Sequence, residues 1–357
     1  MAKRVAVLIA LFSLVATSMA LASSGSRDYG WQLTPTPTDS TTRFRGVSAV
    51  SERTAWVSGW TAPGGVVDGR VFRTTNRGAS WQSVGPPGAQ GLQFRDIEAF
   101  DANTAVVMSI GNTPDAFRMY RTTNGGQTWT LVFQNAEPTA FYDCMAFFDK
   151  HRGLALSDPI NGRFRILATN DGGRTWQIVN ADMPPALPGE FAFAASGQCI
   201  TTAGGRDAWF GTGGDAIARV FHSQDRGRSW TVANTPIRST LSGGISALAF
   251  RDPLHGIAVG GDFDPTAPSL DTVALTNDGG ATWQLNQNAP DELRSGVHWV
   301  TGTDVIMVGP SGSDVSTDQG RTWRGFDEGT FDTVDCAGGF ACWAAGAQGR
   351  VAFLTRG

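Results

Sequence analysis

The chain has 357 residues, of which 45 are Gly and only 17% are charged. This composition is typical of an all-β protein with short strands and many turns. A net charge of −4 gives no support for nucleic-acid binding or for a general attraction to anionic membranes. The chain should therefore fold into strands, and we expect neither nucleic acid nor a lipid surface among its partners.

The N-terminus has the pattern of a signal peptide. Lys3 and Arg4 precede the apolar run "VAVLIALFSLVA", and small residues at positions 20 and 22 fit a cleavage site after Ala22. The apolar run is short for a membrane span, although an uncleaved anchor is the alternative. No later segment is apolar enough to cross a bilayer. We predict a signal peptide at 1–22 and one monomeric domain at 23–357, located in the periplasm or outside the cell.

One turn motif occurs six times along the chain. Its pattern is Ser/Thr-x-Asp/Asn-x-Gly-x-Ser/Thr-Trp, and successive copies lie 40 to 54 residues apart. Each copy predicts a hairpin tip, because the Asp or Asn can accept backbone N–H groups of its own turn and the Gly supplies a positive φ. Six copies at this period indicate stacked four-stranded units, the blades of a β-propeller. We predict a structural role for the six motif residues: Asn76, Asn124, Asp171, Asp225, Asp278 and Asp318.

The stretches between the motifs complete the blades. Each stretch holds two strands and the start of a third, which runs into the motif. A seventh unit follows Trp323 and ends before any fourth strand. Trp31 lies 50 residues before Trp81, in phase with the repeat, so the N-terminal strand can supply the missing outer strand. Such closure removes an exposed sheet edge. We predict an all-β, seven-bladed propeller of four-stranded antiparallel blades.

The four cysteines favour disulfide bonds in an exported chain. Cys336 and Cys342 flank a short hairpin, across which they could be bridged. Cys144 and Cys199 fall at matching positions when the third and fourth units are aligned, so neighbouring inner strands could bring them together. The alternative is four buried free thiols.

Motifs of this kind, called Asp-boxes or BNR repeats, occur in sialidases, xyloglucan hydrolases, sortilin-type receptors and photosystem II stability/assembly factors. The chain most resembles the last family. Segments between the motifs carry the resemblance: "FYDCMAFFDKHRGLALSDPINGRF" (141–164), "FAASG" (193–197), "AWFGTGG" (208–214), "SALAFRDPLHGIAVGGDF" (246–263) and "RSGV" (294–297). The resemblance implies a non-catalytic binding or assembly module. In photosynthetic organisms, that family is lumenal and binds a nascent membrane subunit during reaction-centre assembly.

The mouth of the propeller is the predicted partner site. It lies where inner strands begin and where loops join second to third strands. We predict a mixed-charge socket for a protein or peptide partner, in which Arg side chains grip carboxylates. The alternative is a set of solvated or mutually bridged side chains. The strand starts supply Arg45, Arg95, Asp96, Tyr142, Asp143 and Arg294, and the loops supply Asp158, Asn161, Arg163, Asp215 and Asp262.

A sialidase-like glycosidase is the alternative function. Such an enzyme needs three Arg side chains around a substrate carboxylate, a Tyr–Glu couple and an Asp acid. The candidates for the three Arg side chains are Arg45, Arg95 and Arg294, and the candidates for the Tyr–Glu couple are Tyr142 and Glu190. Against this function, the Phe-Arg-Ile-Pro start of the sialidases is missing and sialidases have six blades. Xyloglucan hydrolases use two tandem propellers, twice the length of this chain.

We predict no cofactor and no metal site. Asp262, Asp264 and Asp271 offer oxygen ligands suited to calcium, but they lack an EF-hand register, which favours turn capping instead. The four His residues are scattered along the chain, and the cysteines have no zinc-type spacing.

Overall fold

A computed structural model of the chain describes residues 28–214 and 217–357. The predicted signal peptide and Asp215 lie outside the described residues. Strands dominate the described part, and its two helices are single 3-10 turns, Pro63–Gly65 and Pro114–Ala116. In the described ranges, none of the helices has the length and apolar character that a membrane span requires.

The first strand, β1 (Tyr29–Leu33), precedes three complete blades. Each of these blades is a four-stranded antiparallel sheet whose strands follow chain order from the inside outward. Their strands are β2 (Arg43–Ala49), β3 (Ala55–Thr61), β4 (Asp68–Thr74), β5 (Gln82–Ser83); β6 (Gln93–Ala99), β7 (Ala105–Ile110), β8 (Arg118–Thr122), β9 (Thr130–Gln134); β10 (Tyr142–Phe147), β11 (Gly153–Ile160), β12 (Arg163–Thr169) and β13 (Gln177–Val179).

The next strands build blades four to seven. They are β14 (Glu190–Phe191), β15 (Ile200–Ala203), β16 (Asp207–Gly211), β17 (Gly213–Gly214), β18 (Arg219–Ser223), β19 (Thr231–Asn234); β20 (Gly243–Phe250), β21 (Gly256–Asp262), β22 (Val273–Thr276), β23 (Gln284–Leu285); β24 (Gly296–Trp299), β25 (Val305–Gly309), β26 (Gly312–Ser316), β27 (Arg324–Asp327); β28 (Thr333–Cys336), β29 (Cys342–Ala345) and β30 (Val351–Arg356). Blade four consists of β15, β16, β18 and β19, whereas β14 and β17 extend blade five beside its inner strand β20.

The N-terminal strand closes the propeller, as predicted. β1 pairs antiparallel with β30, from Tyr29 opposite Arg356 to Leu33 opposite Ala352, and so becomes the outer strand of blade seven. The indole Nε1 of Trp31 donates to Ser313 Oγ in blade six at 3.0 Å. The first and the last described strands thereby lie in one sheet, and blade seven has its four strands.

The core lies between neighbouring blades. Strands near the axis are buried on both faces, and every residue of β7 and of β21 is buried. Outer strands face solvent, as the exposed residues Gln177 and Ile178 of β13 show. The cluster between blades three and four contains Leu156, Phe210 and Phe221, all fully buried. This packing orients the inner strands so that all begin at one face of the propeller, here the upper face, and end at the lower face.

The six repeated turns share one hydrogen-bond pattern. The hydroxyl of the first residue accepts the N–H of the motif Gly, as in Gly173 N to Thr169 Oγ1 at 2.9 Å. The Asp or Asn accepts the N–H of the residue four positions later, as in Thr175 N to Asp171 Oδ1 at 3.0 Å. The same two bonds recur in the other five copies. These turns lie at the lower face, where third strands pass to fourth strands.

Two disulfides join the four cysteines. Cys336 is bonded to Cys342 across the β28–β29 hairpin. Cys144 on β10 is bonded to Cys199, which directly precedes β15. The second bond therefore links the inner strands of blades three and four, and all four thiols are oxidised.

Candidate functional site: the upper mouth

A non-repeating segment crosses the mouth of the propeller. This crossing segment, residues 191–198, begins at the last residue of β14 and leads towards β15. The Ala195 carbonyl accepts Arg45 Nη1 at 2.7 Å, and the Ala194 carbonyl accepts Arg95 Nη1 at 2.9 Å. The Ser196 carbonyl accepts the Thr333 hydroxyl at 2.9 Å. Blades one, two and seven thus hold the segment across the axis.

The crossing segment also fits closely against the inner strands. Gln198 exchanges two hydrogen bonds with the backbone of Val297, at 2.9 and 3.1 Å. Gly197 has φ +76°, and a Cβ there would lie 2.4 Å from Asp96 Oδ1, so only glycine fits without displacing that carboxyl. One side of the segment lines a cavity at the upper face and the other side lines a cavity in the channel below.

The upper cavity has a volume of about 320 Å³. Four residues of the predicted mouth line it: Arg45, Arg95, Asp143 and Asp158. Its apolar wall consists of four phenylalanines and three alanines, namely Phe141, Phe191, Phe193, Phe263, Ala192, Ala194 and Ala195. The rings of Phe193 and Phe263 are stacked with centroids 5.3 Å apart. A concave, largely apolar site with a few charged groups is typical of a ligand pocket.

The two arginines of the upper cavity are mostly buried. Arg95 donates Nε and Nη2 to Gln93 Oε1 at 3.1 and 2.8 Å, and its guanidinium lies 4.9 Å from the Trp60 ring centroid. Burial and the repulsion of Arg45 and Arg43 lower the pKa of Arg95 to about 9. Burial also lowers the pKa of Arg45 to about 10, against the attraction of Asp332. Both guanidinium groups remain cationic at neutral pH, at fixed positions.

The two carboxyl groups of the cavity have unusual surroundings. Asp143 is fully buried, and neither of its carboxyl oxygens has a hydrogen-bond partner among the described residues. Burial and the nearby Asp158 charge raise the pKa of Asp143 well above its ordinary value, which Arg95 and the backbone N–H of Asp158 oppose. That N–H lies near Asp143 but donates to the Phe141 carbonyl at 2.9 Å. Asp158 accepts Ala192 N through Oδ1 at 2.8 Å, and burial raises its pKa to about 7. The cavity therefore has an arginine side and a carboxyl side.

Four of the other predicted mouth residues lie outside the upper cavity: Asp96, Asn161, Arg163 and Asp262. Asp96 faces the lower cavity, accepts Met145 N at 2.6 Å, and has a pKa raised by burial to about 7. Arg163 is exposed at the start of β12, directly after the turn in which Asn161 has φ 53°. Asp262 accepts the hydroxyls of Thr240 and Ser242 and the amide of Asp264. With these three bonds the Asp262 carboxylate caps a turn.

Arg294 is not on an open rim with the other two arginines. Its side chain is buried and donates Nε to Asp314 Oδ2 at 2.7 Å, and its Nη1 lies 3.0 Å from Glu292. Arg294 therefore does not join Arg45 and Arg95 at the upper cavity, because strand β26 supplies a buried carboxylate partner. Arg45 and Arg95 meet at the cavity, but they are held by backbone carbonyls rather than solvated.

The Tyr142–Glu190 couple is not assembled either. The phenol oxygen of Tyr142 has no hydrogen-bond partner among the described residues, and its ring packs 5.3 Å from that of Phe133. Glu190 instead forms a two-pronged buried ion pair with Arg219 and accepts the Thr212 hydroxyl at 2.6 Å. This ion pair fixes the start of the crossing segment to blade four.

Sequence reasoning missed several residues that organise the mouth. Arg43 pairs with Asp332 through two bonds, at 2.7 and 2.9 Å, and so joins blade one to blade seven. Phe191, Phe193 and Phe263 form most of the apolar wall. The signal for Phe191 and Phe193 was the unusual length of the connection between β13 and β15, because long loops in compact domains often carry function. Arg43 and Phe263 lie outside that connection.

The lower cavity is larger, about 650 Å³, and polar. Its lining includes Asp96, Glu98 and Asp335, the last of which lies 3.2 Å from His298 Nε2. Burial and the charges of Asp96 and Asp335 raise the pKa of Glu98 well above its ordinary value. Across residues 28–214 and 217–357, no group of three or more His, Cys, Asp or Glu side chains is arranged to hold a metal ion.

Comparisons with known proteins identify the fold. No family model matches the chain, and no curated protein matches its sequence. A solved structure of YCF48 bound to D1 peptide is 14% identical, with a TM-score of 0.64 over 91% of this chain and 97% of that chain. YCF48 from Cyanidioschyzon merolae is also 14% identical, with a TM-score of 0.61 over 90% and 98%. The WD40 β-propeller domain of Doa1 is 10% identical, with a TM-score of 0.57 over 91% and 97%. At these identities the likeness shows a β-propeller fold.

Proposed function

We propose that this protein is an exported, non-catalytic scaffold that binds a segment of a protein partner in the upper cavity. The observation that carries the proposal is the placement of Arg45 and Arg95 in one concave site with a phenylalanine wall. Arg45 Nε is buried and has no hydrogen-bond partner among the described residues, although it lies 3.6 Å from Asp332 Oδ2. A partner carboxylate bound in the cavity against the remaining N–H donors of the two guanidinium groups would form strong, charge-assisted hydrogen bonds.

The comparison structures support the same interpretation. One of the propellers with this fold was solved with a D1 peptide bound, so a chain of this architecture can hold a peptide. The partner class we propose is an extended segment of a membrane protein, recognised during assembly. An extended segment suits the site, because the apolar wall and the arginines lie side by side in a cavity that opens to the upper face.

Export is part of the proposal. The two disulfides favour an oxidising compartment, because thiols are kept reduced in the cytosol. The predicted signal peptide at 1–22 would direct the chain to the periplasm or the exterior, or to a lumen in a photosynthetic cell. We propose that residues 23–357 form one domain, with the Asp and Asn residues of the repeated turns in a structural role. The glycosidase alternative lacks its tyrosine–glutamate couple in this site.

The test is capture of envelope proteins on the immobilised protein, quantified by mass spectrometry. The double variant Arg45→Gln/Arg95→Gln removes both charges but keeps amide donors for the Ala194 and Ala195 carbonyls. Arg228→Gln, which alters an exposed arginine in a lower-face turn, is the matched control. We expect a set of proteins that the wild type and the control capture and that the double variant loses, with all three proteins folded at the temperature of the capture, as their melting curves show.

Identical capture by the double variant would refute the arginine site. Hydrolysis of a sialoside or a xyloglucan oligosaccharide by the wild type, lost in the double variant, would instead establish the glycosidase alternative. Raising the ionic strength should weaken capture by the wild type in part, because charge attraction at an open site is screened by salt.

A further inference from the structure

The carboxyl side of the upper cavity lacks a partner of its own. Both oxygens of Asp143 are unpaired and fully buried, which is rare because an unsatisfied buried polar group costs free energy. Arg95 is the cation that favours its charge, yet three of the five N–H donors of Arg95 are directed to Gln93 and Ala194, and none forms a hydrogen bond with Asp143. The protein therefore holds Asp143 ready for a group that it does not itself supply.

Three acceptor oxygens are available on this side. Two belong to Asp143, and the third is Oδ2 of Asp158, because Asp158 uses Oδ1 to accept Ala192 N. A primary ammonium group has three N–H donors and no acceptor. The wall beside these carboxyls consists of Phe141, Phe191 and Phe193, against which an aliphatic chain can pack while its charged end reaches a polar group.

We propose that Asp143 and Asp158 bind a primary ammonium group, the end of a lysine side chain of the protein partner. This inference rests on the proposed function and adds a second requirement to it: the partner carries a cation as well as a carboxylate. Two arginines and two aspartates line the cavity. A ligand with one charge of each sign satisfies both sides, whereas a purely anionic ligand leaves Asp143 unpaired.

Three small probes separate the two sides of the cavity. n-Pentylammonium carries only the cation, hexanoate carries only the carboxylate, and 6-aminohexanoate carries both. Each is titrated into the purified protein by ligand-observed NMR, where an affinity of about 1 mM is measurable. We expect 6-aminohexanoate to bind more tightly than either single-charge probe, because it satisfies both sides at once.

Two variants show which side of the cavity binds each probe. Asp143→Asn should weaken n-pentylammonium at least about tenfold and leave hexanoate bound, since a charge-assisted bond is lost. Arg95→Gln should weaken hexanoate and leave n-pentylammonium bound. On the wild type alone, 6-acetamidohexanoate should bind at least about tenfold more weakly than 6-aminohexanoate, which tests the ammonium even if Asp143→Asn does not fold.

The outcomes distinguish this inference from the proposed function. Any one of three results would overturn the ammonium site. Either n-pentylammonium does not bind, or folded Asp143→Asn binds it as tightly as the wild type does, or the acetylated probe binds the wild type as tightly as 6-aminohexanoate does. If hexanoate still binds and Arg95→Gln weakens that binding, the proposed function stands without the ammonium site. If neither single-charge probe binds, the upper cavity is not the partner site and both proposals fail.

Discussion

Asp96→Asn should stabilise the protein in a manner that depends strongly on pH. Asp96 lies on β6, is only 4% exposed, and accepts Met145 N from the neighbouring inner strand β10 at 2.6 Å. Burial raises its pKa from 3.8 to about 7, although the hydrogen bonds from Met145 and Ile97 partly oppose the rise. The folded protein therefore binds a proton on this carboxyl over a pH range in which the unfolded chain does not.

The sign follows from proton linkage. Between about pH 4 and pH 7 the folded state binds more protons at Asp96 than the unfolded state, so the free energy of unfolding falls as pH rises through this window. The loss reaches about 4 kcal/mol above pH 7, since each pH unit between the two pKa values corresponds to about 1.4 kcal/mol. Asn resembles the protonated acid and keeps an oxygen for Met145 N, so it removes most of this loss.

The assay is urea unfolding followed by tryptophan fluorescence, near pH 5 and near pH 8. We expect the variant to exceed the wild type by about 1–2 kcal/mol near pH 5 and by about 4 kcal/mol near pH 8. Asp171→Asn in a lower-face turn is the control of opposite sign. Slight burial raises the pKa of Asp171, but hydrogen bonds from Thr175, Thr169 and Arg174 lower it by more, so this variant should lose stability near pH 8. Equal effects of Asp96→Asn at the two pH values would refute the reasoning.

Three further predictions concern stability. Deleting residues 23–35 removes β1 and the Trp31–Ser313 bond, so the melting temperature should fall and light scattering should report association; an unchanged monomer would contradict the role of closure. Asp278→Ala leaves Thr282 N without its acceptor and should cost about 1–3 kcal/mol in chemical unfolding, with capture of envelope proteins retained by the folded fraction. Gln319→Gly should raise the free energy of unfolding by about 1 kcal/mol, because Gln319 has φ 68° whereas the equivalent Gly172 and Gly279 adopt the same conformation without strain; a loss of stability would count against it.

The repeated features could be predicted from the sequence because they depend on local chemistry. The period of the turn motif predicted the blades, and the phase of Trp31 predicted that β1 completes blade seven. Alignment of two units placed Cys144 opposite Cys199. In each case the repeat relates a residue of one unit to a residue of another unit. The periodicity of the sequence therefore indicated which residues are neighbours in the fold.

The mouth could be predicted only in part because its decisive segment does not repeat. Arg45, Arg95 and Asp143, which were placed at strand starts, line one cavity together with Asp158, which was placed in a loop between a second and a third strand. The course of residues 191–198 depends on hydrogen bonds to three blades, which no local pattern encodes. The burial of Arg294 likewise depends on Asp314, a residue 20 positions away on another strand.

Site-specific photocrosslinking in the native envelope tests the central claim most directly. p-Benzoylphenylalanine replaces Phe263, which lines the upper cavity, or Ile178, which is 50% exposed on the outer strand β13. If a partner segment occupies the upper cavity, the Phe263 variant forms a protein adduct whose crosslinked peptide is identified by mass spectrometry, and the Ile178 variant does not. Protein adducts from Ile178 alone, or none from Phe263 under conditions where the folded protein is present, would contradict partner binding in the upper cavity.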